Sequence, residues 1–412
     1  MSKRKQTIIR AAIVIGVLLI LSVIIYAIVN WVLTNRVEER IASLKAEGQP
    51  VTIADVSSKA ASPDDDAAAI LQEVSEDIET VALALAPFWD ADRPPWGHLN
   101  DADRETIRAV FDAHPDLIPT LERAARASEY RVVIPSTRPP LAVLPHVQFL
   151  RSIGRILSTR AMLFHADGKP DEALDTCVTL LQLCRHFDQE PALISHLVAI
   201  ACRSIAVEAA NAILRGEGVS QAARANLEAE LARHDMPAAY RDALVEERAV
   251  GIASFRQHLD RIGYLPVRVI FLNDMSDYLD LMGRQIETAQ APYHVAVKQL
   301  IDTKDLGLLT SLSVPPLGQT REATARSIAK LRCLRILNAM ASRSDVAEDA
   351  SLDELDLPAE VLTDPFTGDP LLLKQTEEGW IVYSVGADGK DDGGDLRKVR
   401  DVGVAPVSDF ER

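Results

Sequence analysis

The sequence predicts a mainly α protein: an N-terminal transmembrane helix, a multi-helix extracytoplasmic body, and a small C-terminal β-hairpin and loop module. Three observations predict it. Ala11 to Leu33 is a run of 23 residues without a charge. The middle of the chain repeats apolar side chains at helical spacing. Near the end, Trp380-Ile381-Val382-Tyr383 follows Leu371-Leu372-Leu373 across a polar connector, which reads as two short strands and a turn.

The uncharged run is long enough for roughly 35 Å of helix, against a hydrocarbon core of about 30 Å. A cleavable signal has an apolar core of only about 7 to 15 residues, so the run reads as an uncleaved anchor. Tyr26 and Trp31 lie toward its far end, where amphipathic rings favour the membrane interface. Lys3, Arg4, Lys5 and Arg10 precede it, whereas Arg36 and Arg40 alternate with Glu38 and Glu39 beyond it. Basic residues stay on the cytoplasmic side. The expectation is one span of the cytoplasmic (inner) membrane through residues 11–33, with the N-terminus inside and the rest in the periplasm.

Beyond the anchor, Ser62-Pro63-Asp64-Asp65-Asp66 reads as a helix start, with a Ser cap, Pro at the first turn and acids against the dipole. Pro87, Pro94 and Pro95 break that helix. Further helices are expected from Asp101 to Ala113 and from Pro115 to Ala127, then a Pro-rich strap from Pro135 to Pro145. From His146 to about Leu214 the pattern is a run of antiparallel helices. Leu174, Cys177, Val178, Leu181 and Cys184 mark one buried stripe; Ile194, Leu197, Val198, Ala201 and Ile205 mark the next. Ser220 to His234 and Ala238 to Ile262 continue the body.

Between Arg160 and Leu181 the spacing of Ala161, Phe164, Gly168, Ala173 and Leu180 resembles one tetratricopeptide repeat. Such arrays need about three repeats to be stable, and a generic helical hairpin turning at Asp167-Gly168-Lys169-Pro170 fits equally. Val314-Pro315-Pro316 separates the body from a last helix, Thr320 to Ser342, on which the hairpin is expected to pack. The division is then a tail and anchor at 1–34, a stalk at 35–61, a helical body at 62–317 and a C-terminal module at 318–412.

The formal charge is −16, and from Ser344 to Arg412 there are 18 acids against 6 basic residues. That balance disfavours nucleic acid as a partner. Cys177 and Cys184 are two helical turns apart and point the same way; a disulfide or small core residues both fit. No phosphate-binding, dinucleotide-binding, zinc-protease or serine-hydrolase motif occurs. His186 and His196 bracket a helix–helix turn and read as capping or surface groups, and Glu246-Glu247-Arg248 as a solvated helix face.

The most informative stretch is Asp364-Pro365-Phe366-Thr367-Gly368-Asp369-Pro370, the hairpin, and the loop that follows. Pro365 and Pro370 push the residues before them out of helix. Asp388, Asp391, Asp392, Asp395 and Asp401 supply the oxygens a hard cation prefers, and the loop glycines permit it to curl. An EF-hand is excluded, because counting from Asp388 places Val399 where the twelfth position requires a carboxylate. A merely solvated acidic turn is the alternative.

Over about the last fifty residues the chain resembles the C-terminal part of the major pseudopilins of type II secretion. The resemblance is carried by Asp364-Pro365-Phe366…Pro370, by Ser384-Val385-Gly386-Ala387-Asp388-Gly389, and by Asp401-Val402. The same ending is similar to that of membrane-anchored proteins of planctomycete-type bacteria. The resemblance implies calcium held by the Val385 carbonyl, the Asp388 carboxylate, the Lys390 carbonyl and Asp401, with Asp391, Asp392 and Asp395 in the variable middle. It also implies envelope or secretion proteins as partners. The N-terminus departs from a pseudopilin, lacking the Gly-Phe processing junction, so a borrowed module is expected rather than a pilus subunit. Two classes of function follow: a non-enzymatic envelope scaffold, or a periplasmic hydrolase with an acidic active site outside known motifs.

Overall fold

A computed structural model describes residues 3–56, 65–89, 99–131, 144–190, 193–299, 317–342, 351–396 and 400–406. The protein is mainly helical, 73% helix and 5% strand, with an N-terminal apolar helix and a small C-terminal three-stranded antiparallel sheet. The packing divides the chain into two compact units. One comprises Met1–Val56 with Val245–Gln285, and the other Ser57–Leu244 with Ile286–Leu300 and Pro316–Arg412.

In the first unit, α1 (Lys3–Ala46) is one unbroken helix. Its most apolar window has none of its residues buried, and it is a candidate membrane span. Past the apolar run the helix gains partners. Val37 and Ile41 are buried, Arg40 pairs with Asp280, and Glu38 pairs with Arg256 at 2.8 Å. Those partners lie on α11 (Met236–Ile262) and α12 (Arg268–Glu287). The sequence reading did not foresee α12. Arg248, expected on a solvated face, is buried and donates to the Gln49 side chain.

The second unit is built on three long helices: α7 (Leu144–Ala166), α8 (Pro170–Phe187) and α9 (Leu193–Arg215). Around them lie α3 (Ala67–Glu73), α4 (Ser75–Leu85), α5 (Asp101–Asp112), α6 (Leu117–Arg126) and α10 (Gln221–Leu231). Two starts are capped as their residue types demand. Asn100 accepts from the Asp103 N–H at 2.8 Å, and Ser220 from Ala223 at 3.1 Å. The start expected at Ser62 lies in part outside the described residues, as does the Pro-rich strap up to residue 143. Within them, α3 begins at Ala67, capped by Asp66, whose side chain accepts from the Ala68 N–H at 3.0 Å. It breaks at Val74 before α4, so the expected single helix is two.

The stripe of Leu174, Cys177, Val178, Leu181 and Cys184 is buried throughout. The four cysteines are buried free thiols. On α9 the expected stripe is out of phase. The core takes Val198, Ala199, Cys202, Ala206 and Ile213, whereas Ile194 is 42% exposed. An α9 apolar on nearly every side leaves its phase undecided by periodicity, and packing decides it.

The C-terminal part belongs to the same unit. The long helix Leu317–Ala341, α14 after the one-turn Tyr293–Ala296, packs on α9 and carries the sheet. Strands β1 (Leu372–Thr376), β2 (Gly379–Ser384) and β3 (Val402–Val404) run antiparallel in the order β1-β2-β3. The expected hairpin is present, with Leu373 opposite Val382 and Thr376 opposite Gly379; β3 was not foreseen. Leu334, Leu337, Val382 and Val404 share one core with Leu150, Leu181 and Ala206. The boundary expected at residues 317/318 is therefore not a packing boundary.

Polar ties within this core join the same helices. Buried Arg203 pairs with Asp188 and donates to the Cys184 carbonyl at 3.2 Å and to His234 Nδ1 at 3.0 Å. Glu230 lies 3.6 Å from His234 and takes a 2.7 Å bond from Arg185. His196 lies 3.7 Å from Asp188 and bonds Thr324 of α14 at 3.1 Å. Both His186 and His196, expected as capping or surface groups, are buried; His186 stacks on Tyr130. Burial pushes the His186 and His234 imidazoles below the ordinary value.

Candidate functional site

The Asp364–Pro370 turn is held from inside. The buried Asp364 carboxylate accepts from the Phe366 N–H at 2.8 Å, the Ser384 hydroxyl at 2.8 Å and the Val385 N–H at 3.1 Å. Ser384 Oγ in turn accepts from the Gly386 N–H at 3.1 Å. Gly386 has φ +69°, and a Cβ there would lie 2.0 Å from the Arg400 carbonyl oxygen. The Asp-Pro-Phe turn and the Ser-Val-Gly segment are thus one hydrogen-bonded knot.

The residues expected to hold calcium lie in the loop that leaves this knot. Asp388 is exposed and accepts from the Lys390 N–H at 3.2 Å. Asp391 accepts from the Tyr383 hydroxyl at 3.0 Å and the Gly393 N–H at 2.8 Å. Asp392 pairs with Arg400 at 3.2 Å. Asp395 is half-buried, and Val385 is fixed by its N–H to Asp364. Asp401 is buried and accepts from Gly394 at 2.8 Å and Asp392 at 3.4 Å. Burial raises the Asp401 carboxyl above the ordinary range, and the charges of Asp391 and Asp392 add to that.

These contacts test whether the loop fits a cation. Calcium takes 6 to 8 oxygens on one point. Among the described residues no three His, Cys, Asp or Glu side chains are grouped so that they could hold a metal ion. The acids are instead engaged with backbone N–H groups, a tyrosine hydroxyl and an arginine. Among the described residues, the acidic side chains of the loop are spread over separate contacts and not gathered at one point.

What adjoins the loop is a groove of about 840 Å³ beside β3, between α7, α9 and α14. Its floor includes Leu197, Ala201 and Ile205, three of the residues the sequence assigned to a core stripe. Arg151, Arg155, Arg326 and Lys330 stand around it, against Glu208 and Asp401. Arg155 lies over the Trp89 ring at 5.3 Å, and Lys330 pairs with Glu208 at 3.0 Å. The groove has a signal in the sequence: Arg151/Arg155 and Arg326/Lys330 are each i, i+4 basic pairs, so each pair shares a helix face. Such an arrangement can seat an elongated, apolar segment that carries negative charge.

A smaller cavity of about 320 Å³ lies between α14 and the Ala289–His294 segment. The Asp364-Pro365 turn forms one wall, and Tyr293 meets Phe366 edge to face at 4.9 Å. Its cations serve the fold: Arg321 donates to the Thr288 carbonyl at 2.9 Å and Arg332 to the Thr363 carbonyl at 2.6 Å.

No protein-family description, no curated protein and no solved structure matches this chain.

Proposed function

We propose that the protein is a non-enzymatic, single-pass membrane protein of the cell envelope. Its helical body, held outside the cytoplasm, offers the groove beside β3 to an envelope or secretion partner. One observation carries this reading. α1 presents Leu18, Ile20, Val23 and Trp31 at 59 to 64% exposure in a continuous apolar surface. Soluble proteins seldom leave so large an apolar surface in water, whereas a bilayer accepts it. The charge asymmetry around residues 11–33 supports an inside N-terminus. Of the four cations around the groove, Arg326 pairs with Glu322 and Lys330 with Glu208, so Arg151 and Arg155 are the ones that support an acidic partner segment with apolar anchors. The proposed role does not depend on calcium.

The test has two arms. A reporter active only in the cytoplasm, fused after Arg412, should stay silent; activity there defeats the topology. Affinity purification from native membranes should recover partners that Arg151→Glu combined with Arg155→Glu loses. Identical recovery with the variant takes the groove out of the role.

A further inference from the structure

The turn between α11 and α12 is unlike a turn made for water. Residues 262–272 read Ile-Gly-Tyr-Leu-Pro-Val-Arg-Val-Ile-Phe-Leu, with one charge in eleven residues. Tyr264 is 82% exposed, Leu265 58%, Ile270 57% and Val267 37%. Connections over water favour small polar residues instead.

Part of its backbone is bonded from within. The Gly263 N–H bonds the Leu259 carbonyl at 3.1 Å, Leu265 bonds Ile262 at 3.3 Å, and Arg268 bonds Leu265 at 2.8 Å. The Arg268 side chain turns inward to the Leu259 and Gly263 carbonyls at 3.0 and 3.3 Å, so the one charge closes the end of α11. Pro266 has no N–H to satisfy. The Tyr264 and Leu265 carbonyls lie 2.9 and 3.0 Å from the Tyr26 hydroxyl of α1. Each such bond lowers the cost of placing this turn where water is scarce.

The position follows from three ties to one helix. Arg40 pairs with α12 at Asp280 and Glu38 with α11 at Arg256, both beyond the apolar run. From there the helical hairpin runs back along α1 to Tyr26. Leu33 ends the uncharged run seven residues past Tyr26, so the tip lies about 10 Å below that end at 1.5 Å per residue. Interfacial elements bury their apolar faces about 5–10 Å.

We propose that the α11–α12 turn is a second membrane contact, with Tyr264, Leu265, Val267 and Ile270 entering the outer interfacial layer of the bilayer beside the anchor. The proposal rests on α1 spanning the membrane. A helical hairpin held at two points cannot swing freely about a single helix, so the second contact sets the orientation of α11 and α12 on the membrane surface.

The full chain in phospholipid nanodiscs tests this, with a nitroxide placed by Leu265→Cys, Ile20→Cys or Asp101→Cys in separate samples. The native thiols are buried and pushed up in pKa, so the label goes to the new site. Collision with oxygen, which enters lipid, is compared with collision with a water-soluble nickel chelate. The label at 265 should favour oxygen over nickel several-fold more than the label at 101, and less than the label at 20. A label at 265 as open to nickel as that at 101, with 20 still shielded, overturns the insertion alone. Nickel access at 20 overturns the anchor and the insertion together.

Discussion

The Asp364 carboxylate and the Ser384 hydroxyl, twenty residues apart in sequence, meet at 2.8 Å in the buried knot that joins the Pro-rich turn to the end of β2. Asp364 takes two backbone N–H groups as well. Replacing it by Ala leaves those donors buried without partners, each at a cost of about 1–3 kcal/mol. We expect Asp364→Ala to lower stability by about 2–4 kcal/mol, and Ser384→Ala, which removes one donor to Asp364 and the acceptor of the Gly386 N–H, by about 1–2 kcal/mol. The check is the denaturant midpoint of the full chain in detergent. Equal, small losses in both variants would show that the knot does not hold the sheet.

Arg203 and Asp188 form the other buried relationship on which the fold turns. Breaking such a pair from one side costs about 3–5 kcal/mol, because a charge stays buried alone. Arg203→Met and Asp188→Leu should each lose on that order, and the double variant less than either. The pH dependence follows from the same contact. Burial alone would raise the Asp188 carboxyl, but Arg203 beside it and the His196 imidazole hold it below its ordinary value. Its stabilisation is thus complete above the unfolded value near 3.9 and is lost as the pH falls through the lower folded value. An acid melt of the double variant should lack that loss.

Much of this fold was legible because local signals were strong. The long N-terminal apolar helix, the helix starts near Asp101 and Ser220, and the hairpin follow from residue types that allow few alternatives. The phase of α9 was not legible. Apolar residues surround that helix, and Ile194, Leu197 and Ala201 look like a core stripe until α14 and β3 are placed. Nor was the boundary at 317/318, because shared burial of Leu337, Val382 and Leu181 is a tertiary fact that prolines between elements do not report. Of the candidate site, the turn at Asp364-Pro365-Phe366 was legible from its prolines, but its tie to Ser384 was not, because twenty residues separate the two in sequence. The direction of each acid in the loop was not legible either. It depends on where Arg400 and Tyr383 sit.

Gly251 on α11 makes a prediction for the first unit. In an exposed helix, Gly to Ala gains about 1 kcal/mol. Here a Cβ would lie 2.1 Å from the Tyr278 hydroxyl and 2.3 Å from the ring carbon bearing it. Tyr278 is buried and its hydroxyl donates to the Glu247 carbonyl at 3.0 Å, so the ring has little room to retreat. Overpacking costs about 1–3 kcal/mol and should win. Gly251→Ala should lower the melting temperature, and Tyr278→Leu in the same chain should recover part of it. A rise with Gly251→Ala alone would show that the two helices are not packed this closely.

The acidic loop gives the last prediction. If calcium bound and stood at about 100 times its dissociation constant, linkage would add about 2.7 kcal/mol to the folded protein. Binding would first have to draw Asp392 from Arg400 and free Asp401 from the Gly394 and Asp392 N–H groups, and those contacts oppose it. We therefore expect the full chain in detergent to melt alike in calcium, magnesium and chelator. The full chain is the right object, because the hairpin shares its core with α7, α8 and α9 and a fragment from residue 319 would lack that packing. A calcium-specific rise, absent with magnesium, would show the loop reorganising around the ion. Asp388→Ala should then abolish that rise, since Asp388 is the exposed carboxylate with only a 3.2 Å local turn contact to give up. Glu378→Ala, in the turn at the other end of the hairpin, should leave it intact.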